Sequence, residues 1–226
     1  MRNSPRERGY PAKIAAFADT KAGDRPATAI ILAAGASRRM GFPKALLPFS
    51  GSRTFLDHLV DVYSSIGCDV VLVLSPAVSR LALGSARVSA TPPRSSLRLA
   101  INRDPDGDRL SSIRIGLETA AAGSAVFLQD VDRPFVTPPV LRALLERLGP
   151  HGYAAPDLGG RGGHPLLVAP AVAAALRSDR RSRTLREALA GFERTLVDVG
   201  ESRCELNINT PELYRLHVSA EASDAA

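Results

Sequence analysis

The stretch AIILAAGASRRMGFPKALLPF, residues 29–49, decides how the chain must fold. It opens with AIILA (29–33), which is continuously apolar and too short for a helix. Such a run suits a strand of a parallel sheet, covered on both faces. The strand then breaks into a loop that holds Gly35 and Gly41 and carries Arg38, Arg39 and Lys44. In an open α/β sheet, ligands bind outside the carboxyl ends of the strands, where this loop must lie. The glycines let backbone N–H groups turn toward a ligand, and the cations supply charge where phosphates would sit. The spacing is neither the Gly-x-x-x-x-Gly-Lys-Ser/Thr phosphate loop nor the Gly-x-Gly-x-x-Gly dinucleotide fingerprint. An anionic ligand of another kind is implied.

Two further runs, VVLVL (70–74) and AVFLQ (125–129), have the same strand character. Segments with helix start signals lie between and after them. Thr54 with Asp57 reads as a capping box before FLDHLVDVYSSIG, which Gly67 would close. Thr137-Pro138 sets an N-cap ahead of a first-turn proline, Thr184 with Glu187 repeats the capping box, and Thr210-Pro211 repeats the cap with proline. Strands alternating with helices predict a single-domain, three-layer α/β/α fold around a mostly parallel open sheet.

The 226 residues allow one such domain with a sizeable core. Lys and Arg outnumber Asp and Glu by 29 to 23, giving a formal charge of +6 that favours an anionic partner. The arginines are scattered and aromatics make up only 5% of the chain, so there is no basic-aromatic platform for nucleic acid. Cys68 and Cys204 form no Cys-x-x-Cys or Cys/His cluster, which argues against zinc and fits a reduced cytoplasm. No signal-peptide core and no apolar run of bilayer length occurs, so no membrane association is expected. Residues 1–25 are expected to be a mobile extension, 26–217 the domain, and 218–226 a loose tail. SARVSATPPRSS (85–96) reads as a turn-rich connector, and PDLGGRGGHP (156–165) as a Gly-dense loop between two strands. Oligomeric state is not legible.

The loop LAAGASRRMGFPK (32–44) resembles the L-A-A-G-x-S-x-R-M-G-x-x-K signature of the GT-A-like nucleotidyltransferases, a Rossmann-like fold. The likeness is to the MobA-like NTP transferase family and within it to the molybdenum-cofactor cytidylyltransferase branch. It implies that Ala33, Ala34, Gly35, Ser37, Arg39 and Lys44 contact the triphosphate of an NTP. The segment VDRPFV (131–136) resembles the family's Asp-x-Pro metal motif. That implies Asp132 as an Mg²⁺ ligand, with Asp130 outside the motif as a support. A carboxylate there can hold Mg²⁺ against phosphate oxygens as pyrophosphate leaves.

LNINTPELY (206–214) stands where the family often reads Asp-x-Asp-Thr-Pro, which implies Asn209 as the second metal position, without the charge of an aspartate. NRDPDGDRLSS (102–112) is similar to the family's Asn-Pro…Gly-Met-x-Ser-Ser segment beside the base and implies Ser111 and Ser112, with Asp108 where a glycine is usual. GGHPLLV (162–168) matches a Gly-His-Pro-x-Leu stretch of the cytidylyltransferase branch and implies His164 on the acceptor side. Arg39, Lys44 and Asp132 would then stabilise charge on the reacting phosphates, with CTP as the donor and a phosphorylated small molecule as the acceptor.

Two near alternatives are a methylerythritol-phosphate cytidylyltransferase, which the Arg133-Pro134 pair resembles, and a sugar-phosphate nucleotidyltransferase. A reading of another class is a non-catalytic nucleotide-binding protein, which Asn209 and the displaced glycine would suit.

Overall fold

The computed structural model describes residues 27–35, 37–84, 96–104, 108–200 and 203–219. Strand β1 (Thr28–Ala33) leads into a hairpin, β2 (Pro48–Ser50) and β3 (Arg53–Thr54). Helix α1 (Phe55–Ser65), β4 (Asp69–Leu74), α2 (Pro76–Gly84), β5 (Leu97–Ile101), α3 (Arg109–Thr119), β6 (Val126–Asp130) and α4 (Pro138–Arg147) follow. The second half holds β7 (Gly152–Pro156), β8 (Leu166–Val168), α5 (Pro170–Ser178), α6 (Leu185–Leu189), β9 (Glu193–Val197) and α7 (Pro211–Tyr214). The expected extension 1–25 and most of the connector 85–96 lie outside the described residues. Val218 is only 2% exposed and joins the core, so the folded chain passes the expected boundary at 217.

The strands form a seven-stranded sheet in the order β5-β4-β1-β6-β8-β7-β9. β1 pairs in parallel with both β4 and β6, so the chain winds away from β1 in both directions and leaves a crevice at its carboxyl end. β8 runs antiparallel to both β6 and β7, and the Gly-dense loop joins β7 to β8 as a hairpin. The sheet is thus mostly parallel with one reversed strand.

The helix starts follow local chemistry. Thr54 Oγ1 accepts from Asp57 N at 3.2 Å, and Asp57 Oδ2 accepts from Thr54 N at 2.9 Å, a complete capping box. At α6, Thr184 Oγ1 accepts from Glu187 N at 3.1 Å, but the Glu187 carboxylate reaches one residue further back to Arg183 N.

Alternation along β1 divides the core. Ile31 joins Phe55, Leu59, Tyr63, Phe127 and Leu141 on one face, while Ile30 joins Leu110, Ile113, Leu117 and Leu128 on the other. Each such side chain contributes roughly 1.5–3 kcal/mol when fully buried. Gly116 brings α3 close against the sheet, since a Cβ there would lie 2.5 Å from Ile30 Cγ2. This close packing of α3 accompanies the placement of Arg109 and Ser112, in its first turns, at the carboxyl edge of the sheet.

Candidate active site

A cleft of about 390 Å³ opens at the carboxyl ends of β1, β5 and β6. Its floor is the end of β1, Leu32 to Gly35, and Ser37 and Lys44 close one side. Ser37 sits in the left-handed region at φ 49°, the one non-glycine residue with positive φ among the described residues. That conformation costs of order 1–3 kcal/mol, and strain of this kind gathers at ligand-binding sites. The return is local: Ser37 Oγ accepts from Lys44 N at 3.1 Å, so the serine ties the two ends of the loop together. Gly41, at φ 65°, ends the short 3-10 turn Arg38–Met40.

Two acids and two cations face each other across the cleft. Lys44 Nζ donates to Asp132 Oδ2 at 2.8 Å, with the side chains 14% and 21% exposed. Arg109 Nε donates to Asp130 Oδ1 at 2.8 Å. On the far wall Asn102 Nδ2 donates to Ser112 Oγ at 2.9 Å, and Asp108 caps α3 by accepting from Ser111 N. Behind Asp130 lies a second charge network. His164 Nε2 is 3.6 Å from Asp130 Oδ2 and its Nδ1 is 3.6 Å from Glu205 Oε1. Glu205 also pairs with Arg133 and accepts from His164 N at 2.8 Å. Burial pushes the Glu205 carboxyl up, but the His164 ring and N–H and the Arg133 guanidinium more than offset this and hold it below its ordinary value.

The cleft suits a hard cation. Asn207 lines it, and Asn207 Oδ1 is buried with no hydrogen-bond partner. Ile208 N donates to Asp132 O at 2.7 Å, which fixes this segment beside the Asp132 turn. A carboxylate and an unpartnered amide oxygen are the donors that Mg²⁺ accepts, and phosphate oxygens commonly complete its shell. Among the described residues no group of three or more His, Cys, Asp or Glu side chains converges to hold a metal alone.

Of the expected residues, Ala33, Ala34, Gly35, Ser37, Lys44, Ser112 and Asp132 meet in the cleft. Four other expected residues lie outside this lining. Arg39 is exposed and does not line the cleft, because the 3-10 turn presents it to solvent; Arg109 is the second cation there. Ser111 lies outside the lining, with its N–H spent on the Asp108 cap, and Ser112 faces in instead. Asn209 precedes the Thr210 cap of α7 and is not in the lining, whereas Asn207 is. His164 stands behind Asp130 rather than in the cleft. Asn102, Asp104, Asp108, Arg109 and Asn207 carry no ligand signal of their own in the sequence, although all but Asn207 fall within the NRDPDGDRLSS segment that resembles the base-side stretch.

The chain is similar to known proteins over most of its length. A protein of Paenarthrobacter nicotinovorans named nicotine blue oxidoreductase is 29% identical over 203 residues, 84% of this chain and 95% of that protein. Among solved structures, molybdopterin-guanine dinucleotide biosynthesis protein A from Archaeoglobus fulgidus superposes with a TM-score of 0.64 at 18% identity, covering 87% of this chain and 99% of that one. Rv0371c from Mycobacterium tuberculosis H37Rv, solved in complex with manganese, gives 0.61 at 22% identity, covering 85% and 98%. At these identities the two structures speak for the fold. The family model of the MobA-like NTP transferase domain matches residues 29–198, three quarters of the chain and every element from β1 to β9, and the protein belongs to that family.

Proposed function

We propose that this member of a nucleotidyltransferase family moves CMP from CTP onto a phosphorylated small molecule of molybdopterin type and releases pyrophosphate, in the cytoplasm. The observation that carries the reading is the Ser37–Lys44 loop facing Asp132 across the cleft, with Asn207, whose Oδ1 is buried and unpartnered, in the same lining. Backbone N–H groups of Ala34, Gly35 and Ser37 serve the triphosphate, and Lys44 leaves Asp132 to neutralise its charge. Asp132 and Asn207 would hold Mg²⁺, which supplies charge neutralisation at the phosphate oxygens. Ser112 and Asn102 line the base side. An acceptor phosphate oxygen enters from the side of Arg109, with His164 behind Asp130, and attacks the α-phosphorus. The bond from that phosphorus to the bridging oxygen breaks, and the electron pair leaves with pyrophosphate. No protein nucleophile is needed, since positioning and electrostatics carry this chemistry.

Likeness to the Archaeoglobus molybdopterin-guanine dinucleotide biosynthesis protein supports the molybdopterin-type acceptor, and likeness to the manganese-bound Mycobacterium protein supports the divalent cation. The test is pyrophosphate release from CTP, GTP, ATP and UTP with molybdopterin-type, methylerythritol-phosphate and sugar-phosphate acceptors. Release that needs both CTP and the molybdopterin-type acceptor supports the proposal, and release with another acceptor alone redirects it. The name of the Paenarthrobacter relative favours a second reading, an oxidoreductase. Redox turnover of nicotine blue, and no pyrophosphate from any pairing, would favour that one.

A further inference from the structure

β6 carries one polar residue inside its apolar run, and that residue is fully buried. Gln129 is 0% exposed and sits on the face of Phe127, under α1. An amide in such a place is unfavourable unless all its hydrogen-bonding groups are used. Here they are. Gln129 Nε2 donates to Asp130 O at 2.7 Å and to Arg133 O at 3.0 Å. Carbonyls only accept, so the NH₂ end must face them, and both of its protons are engaged. The Oε1 end therefore faces α1, where Tyr63 Oη donates to it at 2.8 Å. Tyr63 is itself fully buried, and burial holds its phenol well above its ordinary value, in the protonated form that can donate.

The two carbonyls belong to the turn that carries Asp132. Three more of its peptide groups are tied: Val131 N to Leu32 O at 3.1 Å, Asp132 O to Ile208 N at 2.7 Å, and Arg133 N to Asp130 O at 3.2 Å. The amide crosses beneath the turn and joins its first and last carbonyls.

We propose that Gln129, oriented by Tyr63, is a positioning residue that sets the Asp130–Arg133 turn and so fixes Asp132 for cation binding. The inference rests on the reading of Asp132 as a cation ligand. Gln129 touches neither ligand nor reacting atoms; it acts through the turn. Outer partners of metal ligands typically change cation affinity or activity by about 10–100-fold when removed.

The test uses the full chain and Gln129→Met, which keeps length but removes both donors, with Tyr63→Phe as a milder variant. Mn²⁺ titration without nucleotide and amide hydrogen exchange at residues 131–133 are measured, with kcat and KM for CTP alongside. Gln129→Met should weaken Mn²⁺ binding by about 10–100-fold and speed exchange at 131–133. Its kcat loss at fixed Mg²⁺ should be partly restored by excess Mg²⁺. Tyr63→Phe should move the same readouts in the same direction by less. A purely structural role would lower thermal stability without shifting the Mn²⁺ midpoint. If Gln129→Met does not fold, Tyr63→Phe decides, and wild-type Mn²⁺ affinity and exchange in it overturn the inference. If Asp132→Ala weakens Mn²⁺ binding and the Gln129 and Tyr63 variants do not, this inference alone fails. If Asp132→Ala has no effect on Mn²⁺, the reading of the site fails and the inference with it.

Discussion

Lys44 is bonded to the Asp132 carboxylate that the proposed cation would use, so replacing it should have two effects of opposite sign. The Nζ–Oδ2 distance is 2.8 Å and both side chains are mostly buried, so the contact is a charge-assisted hydrogen bond with limited screening. Bonds of this kind contribute about 1.5–3 kcal/mol. A divalent ion that takes Oδ2 of Asp132 without nucleotide would displace the lysine and lose that amount. Lys44→Met removes the competitor while keeping the bulk of the chain. At 1.4 kcal/mol per decade, Mn²⁺ affinity of the nucleotide-free protein should rise roughly 10–100-fold. Turnover should fall, because the proposal places the same ammonium on the triphosphate; losing one such interaction costs about 10²–10³ in rate. Calorimetric Mn²⁺ titration reads the first effect and pyrophosphate release the second, with Asp132→Asn as the control that loses both. General damage to the site would weaken metal binding and turnover together. Lost turnover with unchanged or weaker Mn²⁺ binding would refute the reasoning.

Three other outcomes follow from the geometry. Asn207→Asp should tighten Mg²⁺ binding by adding charge at the cleft, while Asn209→Asp should leave it unchanged; superimposable titrations for Asn207→Asp and wild type would remove Asn207 from the cation site. Gly116→Ala should lower the melting temperature. Overpacking against Ile30 and Val73 costs about 1–3 kcal/mol and the helix regains about 1, a net loss of up to about 2 kcal/mol, so a fall of up to roughly 8 °C is expected in calorimetry. Glu205 titrates below its ordinary value of 4.5 in the folded chain, so its contribution is complete above that pH and is lost as pH falls through the lower folded value. Chemical unfolding of wild type and Glu205→Gln should therefore differ most near neutrality and converge in acid, and a pH-independent gap would contradict this.

The parts of the fold that were legible were those encoded locally. AIILA, VVLVL and AVFLQ each form a central strand within a residue of the expected bounds, because a short continuous apolar run has few other ways to be covered on both faces. Thr54 and Thr210 cap helices because the cap and its partner are three residues apart. The direction of β8 was not legible. Three residues, LLV, carry no signal for strand sense, which the hairpin from β7 imposes.

The site divides in the same way. The loop from Ala33 to Lys44 and Asp132 are compact signals at strand ends. Arg109 and Asn102 reach the cleft through the packing of α3 and β5, and no spacing in the chain announces that. Asn207 and Asn209 are chemically identical and two apart, so only the path of the chain into α7 separates them. The Gln129 in AVFLQ did carry a signal, a lone amide in an apolar strand, but its partners Tyr63 and Arg133 O are set by tertiary structure.

The most direct test of the account is the dependence of pyrophosphate release on the nucleotide. Family members that use GTP on the molybdenum cofactor usually read Leu-Ala-Gly-Gly after the first strand, whereas this chain has Ala34, whose methyl is buried at the cleft floor. Shape discrimination at that level is worth only about 1–3 kcal/mol, so the preference is finite. With a molybdopterin-type acceptor and Mg²⁺, kcat/KM for CTP should exceed that for GTP by at least about tenfold, which is 1.4 kcal/mol. Equal use of the two, or a preference for GTP, would contradict the cytidylyl assignment, and no release from any nucleotide would contradict nucleotidyl transfer itself.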